Sequence, residues 1–112
     1  MTPQQYANNL RTLEEIGHSS GVVYAYHVLE SRDLDTLKGL NSTSKMAWRS
    51  FRLGRVPTKE LNIISGYSVG VFISEEFAMF TAVSGPVEEA PAQAFFYGFT
   101  EGIYTVIQEA QR

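Results

Sequence analysis

The sequence predicts an α+β fold. A small antiparallel sheet, made of a hairpin at about 67–84 and a strand at about 21–29, packs against amphipathic helices at the N- and C-termini. Three patterns predict it: helical apolar spacing near both ends, a β-branched and aromatic run after Gly21, and strict alternation across 67–74. A mostly α-helical domain is the alternative, because short apolar runs fit a buried helix as readily as a strand.

The first helix begins at a capping box. Thr2 caps, Pro3 takes the tolerated first position, and Gln5 answers from three residues on. Tyr6, Leu10, Leu13 and Ile16 recur at helical spacing, and Gly17 reads as the left-handed stop. Val22-Val23-Tyr24-Ala25-Tyr26-His27-Val28-Leu29, bounded by Gly21 and Ser31, reads as a strand. Leu34, Leu37 and Leu40 step by three through a second helix at 32–40. Ser42 or Thr43 caps a third, from Ser44 to Leu53, closed by Gly54 and parted by Pro57 from the segment after it. Thr58 to Ser65 is either a short helix ending at Gly66 or an extended lead into the hairpin.

In the hairpin, Val69, Val71, Ile73, Ala78, Phe80 and Ala82 share an apolar face that belongs to the core. The opposite face carries Phe72, Phe77 and Met79 among Ser68, Gly70, Thr81 and Val83. Glu75-Glu76 is poor chemistry for a two-residue turn, so the tip can be longer. The last helix is the clearest element: Glu88 and Glu89 suit its positive end, and Pro91 its first turn. Phe95, Phe99, Ile103, Val106 and Ala110 form its inner stripe, widened by Phe96 and Ile107.

The chain of 112 residues is read as one domain, 1–112, with 44% apolar and 19% charged residues, the composition of a globular protein. With no cysteine there is no disulfide, thiolate metal site or cysteine nucleophile. No histidine spacing matches a metal motif, and no glycine-rich phosphate loop occurs, so neither cofactor nor metal is expected. Without a signal-like N-terminus or a run long enough to span a bilayer, the expectation is a cytoplasmic protein with no membrane contact.

Charge is unevenly distributed. The net −3 divides into −2 over residues 1–41, +5 over 42–59 and −6 over 60–112. Lys45, Arg49, Arg52 and Arg55 fall at i, i+4, i+7 and i+10, one helical face, with Trp48 and Phe51 beside them. Cations with aromatics at this spacing suit an acidic protein partner, where Trp and Arg are favoured anchors. They also suit nucleic acid, through phosphate contacts and base stacking. The same spacing fits a solvated helix face with its aromatics turned inward.

Gly66-Tyr67-Ser68-Val69-Gly70 matches the G-x-S-x-G pattern of a nucleophile elbow, but His18 and His27 both precede Ser68, against the order that fold requires. A hydrogen-bonded structural role suits the two histidines better than catalysis. Gly98 and Gly102, four apart on the last helix, ask for close approach of a neighbour, within the chain or from a second copy. Six tyrosines, seven phenylalanines and one tryptophan exceed what one small core covers. Phe72, Phe77 and Met79 are therefore expected to mediate self-association, most simply as a homodimer. Taken together, the sequence suggests a non-enzymatic interaction protein, a regulator, adaptor or inhibitor. It would bind another protein through Lys45, Trp48, Arg49, Arg52 and Arg55. The alternatives are a nucleic-acid-binding accessory protein using the same helix, and a small hydrolase or ligand-binding module around Ser68.

Overall fold

A computed structural model describes residues 2–67 and 89–112, and there every regular element is a helix. In chain order these are α1 (Pro3–Ser31), α2 (Leu34–Arg52), α3 (Thr58–Gly66) and α4 (Glu89–Ala110). The fold of the described residues is all-α, which overturns the α+β expectation in favour of its mostly helical alternative. The hairpin expected at 67–84 lies outside the described residues, except Tyr67, whose N–H caps α3 by donating to the Ile64 carbonyl at 3.2 Å.

α1 starts as expected. Thr2 Oγ1 accepts from the Gln5 N–H at 3.2 Å, and Gln5 Oε1 accepts from the Thr2 N–H at 2.9 Å. The helix does not stop at Gly17, and residues 21–29 form no strand; one helix of 29 residues runs through both. Gly17, Ser20, Gly21, Tyr24, Ala25 and Val28 are all buried, at the three-to-four spacing of one helix face. The β-branched run therefore folds as helix because its alternative partner is α4, not a second strand.

That pairing also explains the glycines. A Cβ on Gly17 would lie 2.1 Å from the Phe95 carbonyl oxygen, and one on Gly21 2.2 Å from that of Phe99. Reciprocally, a Cβ on Gly98 would lie 2.0 Å from the Glu14 oxygen, and one on Gly102 2.2 Å from that of His18. Rising residue numbers on α1 meet rising numbers on α4, so the two helices run parallel with their backbones in contact. Each interior glycine costs about 1 kcal/mol relative to Ala, and the close packing it permits offsets that cost. The neighbour that Gly98 and Gly102 call for is thus within the chain.

The two helices expected at 32–40 and 44–53 are one. Asp33 caps α2, accepting from the Thr36 N–H at 2.8 Å and the Thr36 hydroxyl at 2.7 Å. Those bonds hold the Asp33 carboxyl below its ordinary range. Ser42 and Thr43 do not cap; their hydroxyls donate back to the carbonyls of Lys38 and Gly39, which leaves the helix unbroken. α2 packs antiparallel on α4: Asn41 Nδ2 donates to the Thr100 carbonyl at 2.9 Å, while Phe51 stacks on Phe96 at 5.2 Å further back along α4. Ser44 and Thr100 meet at 2.6 Å in the same interface. Because the Thr100 hydroxyl proton goes to the Phe96 carbonyl, Ser44 is the donor of that contact.

α3 closes one side, burying Ile64, whose carbonyl accepts the Tyr24 hydroxyl at 2.8 Å. The core centres on α4, where Phe95, Phe96, Phe99, Ile103, Val106 and Ile107 are buried as the stripe predicts, while Ala110 is exposed. Each such large side chain contributes roughly 1.5–3 kcal/mol on burial.

Candidate functional site

The basic stripe occupies the solvent side of α2. Leu37, Leu40, Asn41, Ser44, Ala47 and Phe51 turn inward. That inner set fixes the outer one, and Lys45, Arg49 and Arg52 are all exposed. Lys38, one i+7 step before Lys45, is exposed on the same face and extends the stripe toward the start of the helix. Arg49 and Arg52 lie in the last turn, where the helix dipole favours cations.

Arg55 is exposed but off the helix. The chain leaves α2 through Gly54, at φ +72°, with the Gly54 N–H donating to the Phe51 carbonyl at 3.0 Å and the Arg55 N–H to that of Ser50 at 2.9 Å. This is a Schellman closure, and it needs the left-handed glycine. The i+10 expectation that Arg55 shares the helical face of Lys45, Arg49 and Arg52 is therefore overturned: α2 ends at Arg52, and Arg55 lies past its glycine closure.

The two aromatics part company. Phe51 is buried against Phe96 and belongs to the core. Trp48 is half-buried at the edge of α2, with Lys45 one turn before it and Arg52 one turn after. The Arg52 guanidinium carbon lies 5.9 Å from the centre of the indole, within cation–π range. Trp48 also meets Tyr97 of α4, ring centres 5.8 Å apart and planes tilted by 57°. Tyr97 remains 42% exposed. It was missed in the sequence because it falls off the buried stripe of α4, and its position beside Trp48 depends on how α2 and α4 cross.

Among the described residues the only ion pair is His27 with Glu30, at 3.6 Å on the exposed side of α1. Lys45, Arg49, Arg52 and Arg55 thus meet no described carboxylate within pairing distance. His18 is half-buried, its Nε2 at 3.5 Å from the Thr105 hydroxyl, so neither histidine faces the basic stripe's chemistry. No group of three or more potential metal ligands occurs among the described residues. Ser68 and the self-association residues Phe72, Phe77 and Met79 lie outside the described residues. Gly66 and Tyr67, the start of the G-x-S-x-G pattern, end α3.

Among the described residues no helix is long and apolar enough to cross a membrane. No protein family, curated protein or solved structure matches the chain. The candidate site therefore rests on its own geometry: a cationic helix face anchored from behind, bordered by an aromatic pair.

Proposed function

We propose that this protein binds nucleic acid through the outer face of α2, with Lys45, Arg49 and Arg52 on phosphates and Arg55 extending the contact past the helix end. The observation that carries this reading is an exposed cationic row on one rigid helix with no described carboxylate to neutralise it. From Lys45 to Arg52 the row covers about 10 Å of helix axis, enough to meet successive phosphates of one strand. Of the two aromatics beside the row, Phe51 is spent inside the core and Trp48 is half-buried, so cations dominate what the outer face of α2 presents to solvent.

The test is fluorescence anisotropy with a labelled 20-nucleotide strand at 50 mM salt, repeated up to 200 mM. Three or four phosphate contacts predict a log–log salt slope of about −2 to −3. Arg49→Ala with Arg52→Ala should remove most of the affinity while circular dichroism stays that of the parent, since both side chains are exposed. Absence of binding at 50 mM salt, or a double variant that binds like the parent, refutes the reading.

A second reading, an acidic protein partner, draws on the exposed apolar residues Met46, Leu53 and Val56 near the same cations. It predicts that Leu53→Ser weakens partner binding, a change that leaves phosphate contacts intact.

A further inference from the structure

We propose that Trp48 and Tyr97 form a base-stacking platform, which makes the ligand of this face single-stranded nucleic acid; this rests on the nucleic-acid reading above and specifies it. The two rings come from different helices, meet at 5.8 Å, and lie at the border of the cationic row, not within the core. Tyr97 keeps 42% of its surface in solvent, although a buried stripe of phenylalanines runs along the adjacent face of the same helix. An unpaired base offers a π-face to such a surface, whereas the bases of a duplex are stacked on one another and closed to it.

Charge sets the direction of the strand. On α2, Trp48 has Lys45 and Arg52 one turn away on either side, and Arg49 follows it directly. On α4, the residue one turn beyond Tyr97 is Glu101, exposed and anionic. A phosphate backbone is therefore drawn along α2 and repelled from α4, and its bases turn inward across the helix border, over Trp48 toward Tyr97. Arg52, already over the indole, completes a cation–π and stacking edge for the incoming base.

Trp48 is the single tryptophan of the chain, so its emission reports the platform directly. Three 20-nucleotide probes of matched length separate the contributions: oligothymidylate, an abasic strand carrying the same phosphates, and a hairpin duplex. The expected result is quenching of Trp48 by oligothymidylate but not by the abasic strand. Affinity for oligothymidylate should exceed that for the abasic strand and the duplex by at least fivefold, the lower end for one stacked base. Tyr97→Ala should lower oligothymidylate affinity at least fivefold and leave the abasic strand unchanged, and Tyr97→Phe should restore it. Thermal melts of each variant exclude loss of fold as the cause. Equal affinity for all three probes, or a Tyr97→Ala variant that binds oligothymidylate like the parent, overturns the platform while leaving phosphate binding by α2 standing. Failure of every probe to bind overturns both.

Discussion

Gly21→Ala is the sharpest test of how the bundle is held together. Ordinarily this change stabilises a helix by about 1 kcal/mol. Here the new methyl would stand 2.2 Å from the Phe99 carbonyl oxygen and 2.9 Å from its carbon. Raising the oxygen contact even to 3.0 Å requires the α1 and α4 backbones to part by about 0.8 Å. The atom in the way is backbone in the middle of a helix, so no side-chain rotation relieves it. A gap of 0.5–1 Å forfeits roughly a quarter to a half of each dispersion contact across it, and Tyr24 against Phe99, ring centres 5.2 Å apart, is among those contacts. Overpacking of this kind costs about 1–3 kcal/mol, with backbone obstruction at the upper end. After the propensity gain the net loss is about 2 kcal/mol, a fall in Tm of roughly 8 °C for a domain of this size. Gly39→Ala is the control, since a Cβ there meets nothing within 4 Å. On the exposed face of α2 it should raise stability by about 0.5–1 kcal/mol. Urea and thermal unfolding followed by circular dichroism measure both. If Gly21→Ala is as stable as the parent, or gains as Gly39→Ala does, the close-packed parallel pair is refuted.

Thr100→Val keeps the side-chain shape but leaves the fully buried Ser44 hydroxyl without its acceptor, so unfolding experiments should show a loss of about 1–3 kcal/mol. Adding Ser44→Ala should recover part of that loss, and a double variant costing the sum of the singles would show that the two hydroxyls are not coupled. Tyr24 supplies a pH dependence. Burial pushes its phenol well above the ordinary 10.0, so the folded state keeps the proton where the unfolded chain releases it. Its contribution is complete below pH 10 and declines as pH rises above that value toward the folded pKa. The parent should therefore lose Tm more steeply than Tyr24→Phe between pH 9.5 and 11.5, although at pH 7 the variant is less stable by about 1 kcal/mol for its lost bond to the Ile64 carbonyl. Parallel curves for the two proteins would contradict the burial of the phenol.

The parts of the fold legible in the sequence are those with a local cause. The Thr2–Gln5 capping box depends on four consecutive residues, and the Gly54 closure on one backbone conformation that other residues avoid. The α4 stripe was legible because six large apolar side chains at helical spacing leave no other face to bury. The region 21–29 was misread because local propensity and tertiary packing point in opposite directions there. The Val and Tyr residues favour a strand when considered alone, but Gly17 and Gly21 matter only once a partner backbone stands against them. The candidate site divides in the same way: Lys45, Arg49 and Arg52 follow from helical arithmetic, whereas Tyr97 has no counterpart in it.

By itself, then, the sequence determined where α1 begins, where α2 ends, which side of α4 is buried, and that a basic stretch interrupts an acidic chain. Each of these arises from contacts within a few residues or from composition. Only the tertiary structure decided that α1 continues through two glycines, that it runs parallel to α4, and that Trp48 finds Tyr97 at the edge of the cationic face. These depend on carbonyls and rings more than forty positions away in the chain, and no local preference encodes them.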